Sequence, residues 1–420
     1  MITKNTFFLA ALAAIAFMSL SCAEIDGPVS ADDLIPRKDI VLTKAQAEFV
    51  KANNSFALDL FRQVAQADKG QSLLISPLSV TIDFGMVNNG AVGQTQREIY
   101  ETLGYKEGSV EGLNDFCQTM MEQSAAVDPS TTLEIANASV INKMYPGLKD
   151  SFTKTVKSVY DAEVIYKDFS KDDIRKLVND WCDRKTHGMI PELLKKPVSP
   201  GEYAHFLNAV YFKGIWSSQF KKDDTKKETF TCDDGSKTTV RMMHQKNRFS
   251  YGAIPDLCTA VSLPYGNQAY SMTLLLPLEG KTLSDLVEDL NAETWGSRRL
   301  YGADVDVKIP SFESEYFVSL SEILQKMGIR QAFGVGGSPD FSAMTTAPVF
   351  ISDVLHKAKI KVDESGSEAA AVTDIVMEYG SSGTPYTPPT YEFHADRPFL
   401  YIITEVSTEA IYFIGQYTGR

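Results

Sequence analysis

Histidine and cysteine are scarce: the 420-residue chain has five of each. The histidines His187, His205, His244, His356 and His394 stand apart from one another at no ligand spacing, and the cysteines form no C-x-x-C pair. Together these absences argue against a metal centre or a redox motif. There is no G-x-S-x-G elbow, no H-E-x-x-H and no glycine-rich phosphate loop, so no familiar catalytic framework is written in the chain and no catalytic residue, cofactor or metal is expected. Dispersed serine, histidine and aspartate leave a triad assembled across the chain open at this point. Clustered Lys and Arg are also missing, and the net charge is −13. That argues against a nucleic-acid or heparin-type partner.

Long apolar runs are absent except at the N-terminus, where Phe7 to Leu20 follows Lys4. The run is short for a membrane span and reads as an export signal over residues 1–21. "SLSC" then resembles a bacterial lipoprotein signal, with Cys22 as the lipidated residue. Residues 22–44, polar and proline-containing, read as a tether. The expectation is an exported protein, lipid-anchored at the outer membrane or cell surface of a bacterial envelope. Cys117, Cys182, Cys232 and Cys258 are expected to be free.

From residue 45 onward the composition is that of one globular domain, 44% hydrophobic and 23% charged for the whole chain. Phe49, Phe56, Ala57, Leu60, Phe61 and Val64 share one face of a helix across Gln46 to Gln66. "LLISPLSV" starts as a strand that Pro77 stops, and Ser76 or Ser79 is placed to cap the helix that follows. "HFLNAVYFKGIW" reads as a strand buried on both faces. "AVSLPYGNQAYSMTLLLP" reads as a hairpin around Gly-Asn, and "DVDVKIPSF" as a half-buried strand with Val305, Val307 and Ile309 inward. "SLSEILQKMGI" reads as a helix stopped at Gly328. His356, in "VLHKAKI", reads as a core histidine with a hydrogen-bond partner. Helices gather in the first half and strands in the second, an α+β arrangement.

The stretch "VDESGSEAAAVTDIVMEYGSSGTPYTPPT" changes character midway, from strand-like to loop-like. Its start resembles the hinge of the serpins, the serine protease inhibitor superfamily. "SLLISPLSVTIDFGMVNNGAVGQTQREI", "DFSKDDIRKLVNDWCDRKTHGMIPELL", "FLNAVYFKGIW", "VRMMHQ", "PYGNQAYSMTLLLP", "ADRPFLYII" and "AIYFIGQY" resemble further serpin blocks, in order. The resemblance implies three β-sheets with eight to nine helices in a domain over 45–420, and an exposed reactive centre loop at about 364–397. It implies a monomeric suicide substrate, not an enzyme: a target protease cuts the loop, which inserts into the central sheet and traps the acyl-enzyme.

Insertion makes demands that the residues can be tested against. Ser367, Ala369, Ala371, Thr373, Ile375, Met377 and Tyr379 alternate with Glu368, Ala370, Val372, Asp374, Val376 and Glu378. All the charge falls on the second set, as a strand buried on one face requires. The hinge is carried over to Glu364, Gly366, Ser367, Glu368, Ala369, Ala370 and Ala371, whose small side chains pass easily between packed strands. The family's count from Glu364 puts the cleaved bond at Gly380–Ser381, an inserted length of about 50 Å at ~3.3 Å per residue. The segment after Gly380 is longer than usual, so Met377, Tyr379, Gly380 and Ser381 are all candidates. No Lys or Arg occurs between Lys361 and Arg397. The expected target is therefore a chymotrypsin-, elastase- or subtilisin-like serine protease, or a papain-like cysteine protease, rather than a trypsin-like one. The resemblance further assigns Ser76, Ser79, Asn208 and His356 to closing the central sheet, and Trp216 to the point of loop entry. A non-inhibitory member, acting as a binding protein or a decoy substrate, is the alternative.

Overall fold

The computed structural model describes residues 36–105, 109–367 and 389–420. In chain order the elements are α1 (Lys44–Ala67), β1 (Leu73–Ile75), α2 (Pro77–Asn88), α3 (Gly93–Thr102), α4 (Val110–Ser124), β2 (Thr132–Asn142), α5 (Asp150–Val159), β3 (Glu163–Lys167), α6 (Ile174–Lys185) and β4 (Ala204–Ile215). Next come β5 (Lys226–Thr231), β6 (Lys237–Ile254), β7 (Cys258–Tyr265), β8 (Tyr270–Pro277), α7 (Leu283–Asp289), α8 (Ala292–Gly296), β9 (Arg299–Pro310) and β10 (Phe312–Ser319). The chain closes with α9 (Ser321–Met327), β11 (Leu355–Val362), β12 (Gly366–Ser367), β13 (Thr390–His394), β14 (Phe399–Glu405) and β15 (Ile411–Tyr417).

Local chemistry accounts for most of these boundaries. Thr43 and Gln46 form a reciprocal capping box that starts α1. The predicted face of α1 is buried at Phe56, Ala57, Leu60, Phe61 and Val64. α9 stops at Gly328, whose φ of 135° a side chain would resist. The hairpin β7–β8 turns at Gly266 to Ala269 as its sequence suggests. Cys117, Cys182, Cys232 and Cys258 are free and buried.

The strands form three sheets. The largest has nine strands in the order β1-β15-β14-β8-β7-β6-β9-β13, with β5 also on β6. Its spine is β6, whose 18 residues pair with β5, β9 and β7. The second sheet runs β12-β4-β2-β3 and the third is the antiparallel pair β10–β11. Among the described residues β4 and β11 are not registered with one another; the far edge of β4 meets β12, at Gly214 and Ile215.

Two sequence readings need correction. Ser76 occupies the N-cap of α2 but its side chain makes no capping bond, and Pro77 at the first helical position, with no N–H to satisfy, opens the helix instead. Ser79 lies within the helix and its hydroxyl turns to Asn208 on β4. The second concerns β4. Both its faces are covered, Leu207 and Ala209 joining Val178 and Trp181 of α6, and Phe212 joining the main core. Yet only Leu207, Ala209, Tyr211, Phe212 and Gly214 are fully buried. A described strand flanks its outer edge only at the end, so the run is less enclosed than its apolar composition suggests.

Candidate functional site

The residues singled out by the sequence fall into two groups on the second and third sheets. The first lies at the end of β4, where loop entry is expected. Trp216 follows β4 directly, and its ring stacks on Tyr265 at 4.4 Å and 12°. Its backbone N–H donates to Ser365 O at 2.9 Å, and its Nε1–H donates to Asp363 O at 3.0 Å. The N–H of Phe220 donates to Glu364 O at 2.9 Å. The chain beyond β11 is thereby turned back over Trp216, and Gly366 and Ser367 pair antiparallel with Ile215 and Gly214.

Gly366 is obligatory in this turn. Its φ is +143°, and a Cβ there would lie 2.2 Å from Gly214 O and 2.6 Å from Ile215 Cα. Glu364 is 4% exposed, and its carboxylate pairs with Arg241 of β6. Burial alone would raise that carboxyl, but its own backbone amide, the Thr225 hydroxyl and the Arg241 guanidinium outweigh it and hold the pKa below the usual value. The start of the expected hinge is therefore buried and anchored, and β13 takes up the chain again from Thr390. Hydrogen bonds to backbone carbonyls explain the difference from a wholly exposed loop: two backbone N–H groups, of Trp216 and Phe220, and the Trp216 indole N–H hold residues 363–365 down. Glu368, Ala369, Ala370, Ala371, Met377, Tyr379, Gly380 and Ser381 lie outside the described residues, as does Cys22.

The second group lies beneath the sheets. His356 on β11 accepts the Ser76 N–H through Nε2 at 3.1 Å. Burial drives its pKa down to about 4, so the ring is neutral near pH 7 and has a lone pair to accept that proton. Ser79 Oγ donates to Asn208 Oδ1. Asn208 Nδ2 donates to Asn137 Oδ1 on β2 at 2.7 Å, and Asn137 Nδ2 donates to Tyr160 O at 2.7 Å. The Tyr160 hydroxyl continues the chain to Asn114 on α4 at 2.7 Å, and Asn114 exchanges bonds with Asn89 at 2.8 Å. Ser76, Ser79, Asn208 and His356 thus meet through α2, while Trp216 sits apart at the entry point.

Sequence reasoning missed Asn137, Tyr160, Asn114 and Arg241. Asn137 had a local signal, an amide inside the apolar strand "LEIANASVIN"; Arg241 had none. Among the described residues no group of three or more His, Cys, Asp or Glu is placed to hold a metal ion.

Comparison with known proteins agrees along nearly the whole chain. The family model for "Serpin (serine protease inhibitor)" matches residues 51–419. Iripin-2 of Ixodes ricinus is 33% identical over 386 residues, covering 90% of this chain and 95% of that protein. The leukocyte elastase inhibitor of Homo sapiens is 33% identical, covering 88% and 98%. Among solved structures, the thermophilic serpin tengpin in its native state superposes with a TM-score of 0.79 at 26% identity, covering 92% and 97%. Thyroxine-binding globulin in complex with thyroxine gives 0.78 at 26%, covering 89% and 99%. A match of this length, carried by an α+β chain of three sheets in which the segment after β11 turns back over Trp216, leaves one conclusion: the chain belongs to the serpin family.

Proposed function

We propose that this serpin is a suicide-substrate protease inhibitor. The observation that carries the reading is the seating of Gly366 and Ser367 as an antiparallel addition to β4, directly over Trp216. A strand added there has an edge to follow, and the alternation from Ser367 to Tyr379 provides one uncharged face. The target's nucleophile attacks the loop carbonyl, expels the amine and leaves an acyl-enzyme. Extending β12 along β4 then carries the acylated end away from the entry point, and the target's active site is distorted before water cleaves the ester. This is inhibition by being cut, with no turnover by the serpin itself. Loop insertion that releases stored strain is a known switching mode of serpins.

The proposed target is chymotrypsin-, elastase- or subtilisin-like, or a papain-like cysteine protease, because the loop from Val362 to Asp396 offers no Lys or Arg. Incubation with each enzyme and SDS electrophoresis tests it. An SDS-stable covalent complex with at least one supports inhibition. Loop cleavage without any complex, together with unimpaired protease activity, overturns it in favour of a decoy or binding role. The proposed location is the cell envelope, with lipid on Cys22; mass spectrometry of the mature N-terminus without acyl mass would overturn that part.

A further inference from the structure

Among the described residues the strands β4 and β11 are not registered with one another, but both are tied to the N-terminal end of α2. Ser76 holds β11 through His356, and Ser79 holds β4 through Asn208. One turn beyond Ser79, on the same face of the helix, stands Asp83. Its carboxyl Oδ1 is sealed from solvent and has no hydrogen-bond partner. The residue is half-buried as a whole, so protons can reach it without the fold coming apart.

We infer that Asp83 is a proton-controlled latch under the central sheet: neutral, it lets β4 and β11 rest on α2, and ionised, it weakens that seat and speeds their separation. With one of its two oxygens sealed and unpartnered, an ionised carboxylate there is costly, whereas a neutral carboxyl is tolerated. Burial pushes the Asp83 pKa up to about 7, and no charged neighbour contributes.

The surroundings agree. The titratable groups turned toward α2 are His356 on β11, Cys117 on α4 and Tyr160 after α5, the last two lying against Gly85. Asp59 and Arg62 on α1 pair with each other and are half-exposed, and Glu111, Asp115 and Glu122 on α4 are exposed. Tyr412 on β15 is bonded to Ser124. His205, Tyr211 and Lys213 of β4 alternate with Asn208 onto the opposite face. The sign follows from a carboxyl raised above its ordinary value near 3.8. The stability contributed by the neutral form is complete below that value and is lost as pH rises through about 7.

The test uses no protease, so it stands apart from the inhibition reading. Loss of native monomer on mild heating is followed by native gel from pH 6.5 to 9, alongside the melting temperature. His356, with its pKa near 4, stays neutral throughout that window. Wild-type conversion is expected to be about fourfold faster at pH 8.5 than at 6.5, the ratio of the ionised fractions of a single carboxyl that titrates near 7. Asp83→Asn, nearly isosteric and always neutral, is expected to vary less than about twofold, and Asp83→Ser serves if the amide does not fold. A flat wild-type profile, or a neutral variant that keeps the wild-type slope, overturns the proposal.

Discussion

The nine-stranded sheet and the α2-supported sheets are held by different forces. In the nine-stranded sheet every residue of β8 and β14 is buried, and the two strands lie side by side in antiparallel register. Phe312, Phe399, Tyr401 and Tyr417 pack as one aromatic cluster against it. Beneath β4 and β11, by contrast, a line of polar side chains, Ser76, Ser79, Asn208, Asn137 and His356, is set among the apolar contacts of Phe212, Ala358 and Ile360. Apolar burial is non-directional and is lost only when the area is exposed. A hydrogen bond can be exchanged for another at small net cost, provided a new partner arrives. On the proposed mechanism the first region stays shut and the second opens for the entering strand.

The sharpest way to test that contrast is at the hinge. In Gly366→Val the side chain would meet Gly214 O and Ile215 Cα while the backbone holds φ at +143°. Covalent complex with the target is expected to fall almost to nothing while loop cleavage continues, read as the two bands on an SDS gel. Complex formation at the wild-type level would show that entry does not pass through this turn.

The counterpart lies in the nine-stranded sheet. Leu274 on β8 is fully buried, and Leu274→Ala is expected to cost about 2–5 kcal/mol, seen as a lower melting temperature. Among molecules that remain folded, the ratio of complex to cleaved loop is expected to be unchanged. A shift in that ratio would break the division of labour between the regions.

What the sequence disclosed follows the same division. The capped α1, the hairpin β7–β8, the alternating β9 and the stop at Gly328 were legible because each depends on period or turn chemistry within a few residues. β9 shows how far this goes: Val305, Val307 and Ile309 are buried as read, but Asp306 is buried too, held by His244, Lys246 and His394 from neighbouring strands. The α2 support was visible only through family resemblance. Ser79 looked like a cap because its true partner, Asn208, is 129 positions away. The separation of β4 from β11 has no local signature at all, since β4 reads as an ordinary apolar strand and β11 as an ordinary alternating one.

Acid sharpens the comparison further, through His356. Its pKa is lowered from 6.5 to about 4. Its contribution to stability is fully present above 6.5 and is lost as pH falls through about 4, a loss of about 3 kcal/mol. Urea midpoints at pH 7, 5.5 and 4.5 measure it. His356→Gln is expected to be less stable at pH 7, because the Ser76 N–H loses its acceptor, yet to show a shallower decline toward acid. A variant as steep as wild type would mean that other groups carry the acid sensitivity.

The smallest expected effect is at Asn208. Asn208→Ala removes the acceptor of Ser79 Oγ and the donor to Asn137 Oδ1, leaving polar atoms on α2 and β2 without their partner. That should cost about 1–3 kcal/mol, comparable to or below Leu274→Ala. The consequence should nevertheless differ in kind. Asn208→Ala is expected to give a ladder of larger species on native gels after mild heating, because it loosens β4 from its support without damaging the nine-stranded sheet. Leu274→Ala, matched for lost stability by choice of temperature, is expected to unfold without a ladder. Ladders from both variants at equal loss of stability would mean that overall stability, rather than the polar contacts on α2, sets how readily the sheets part.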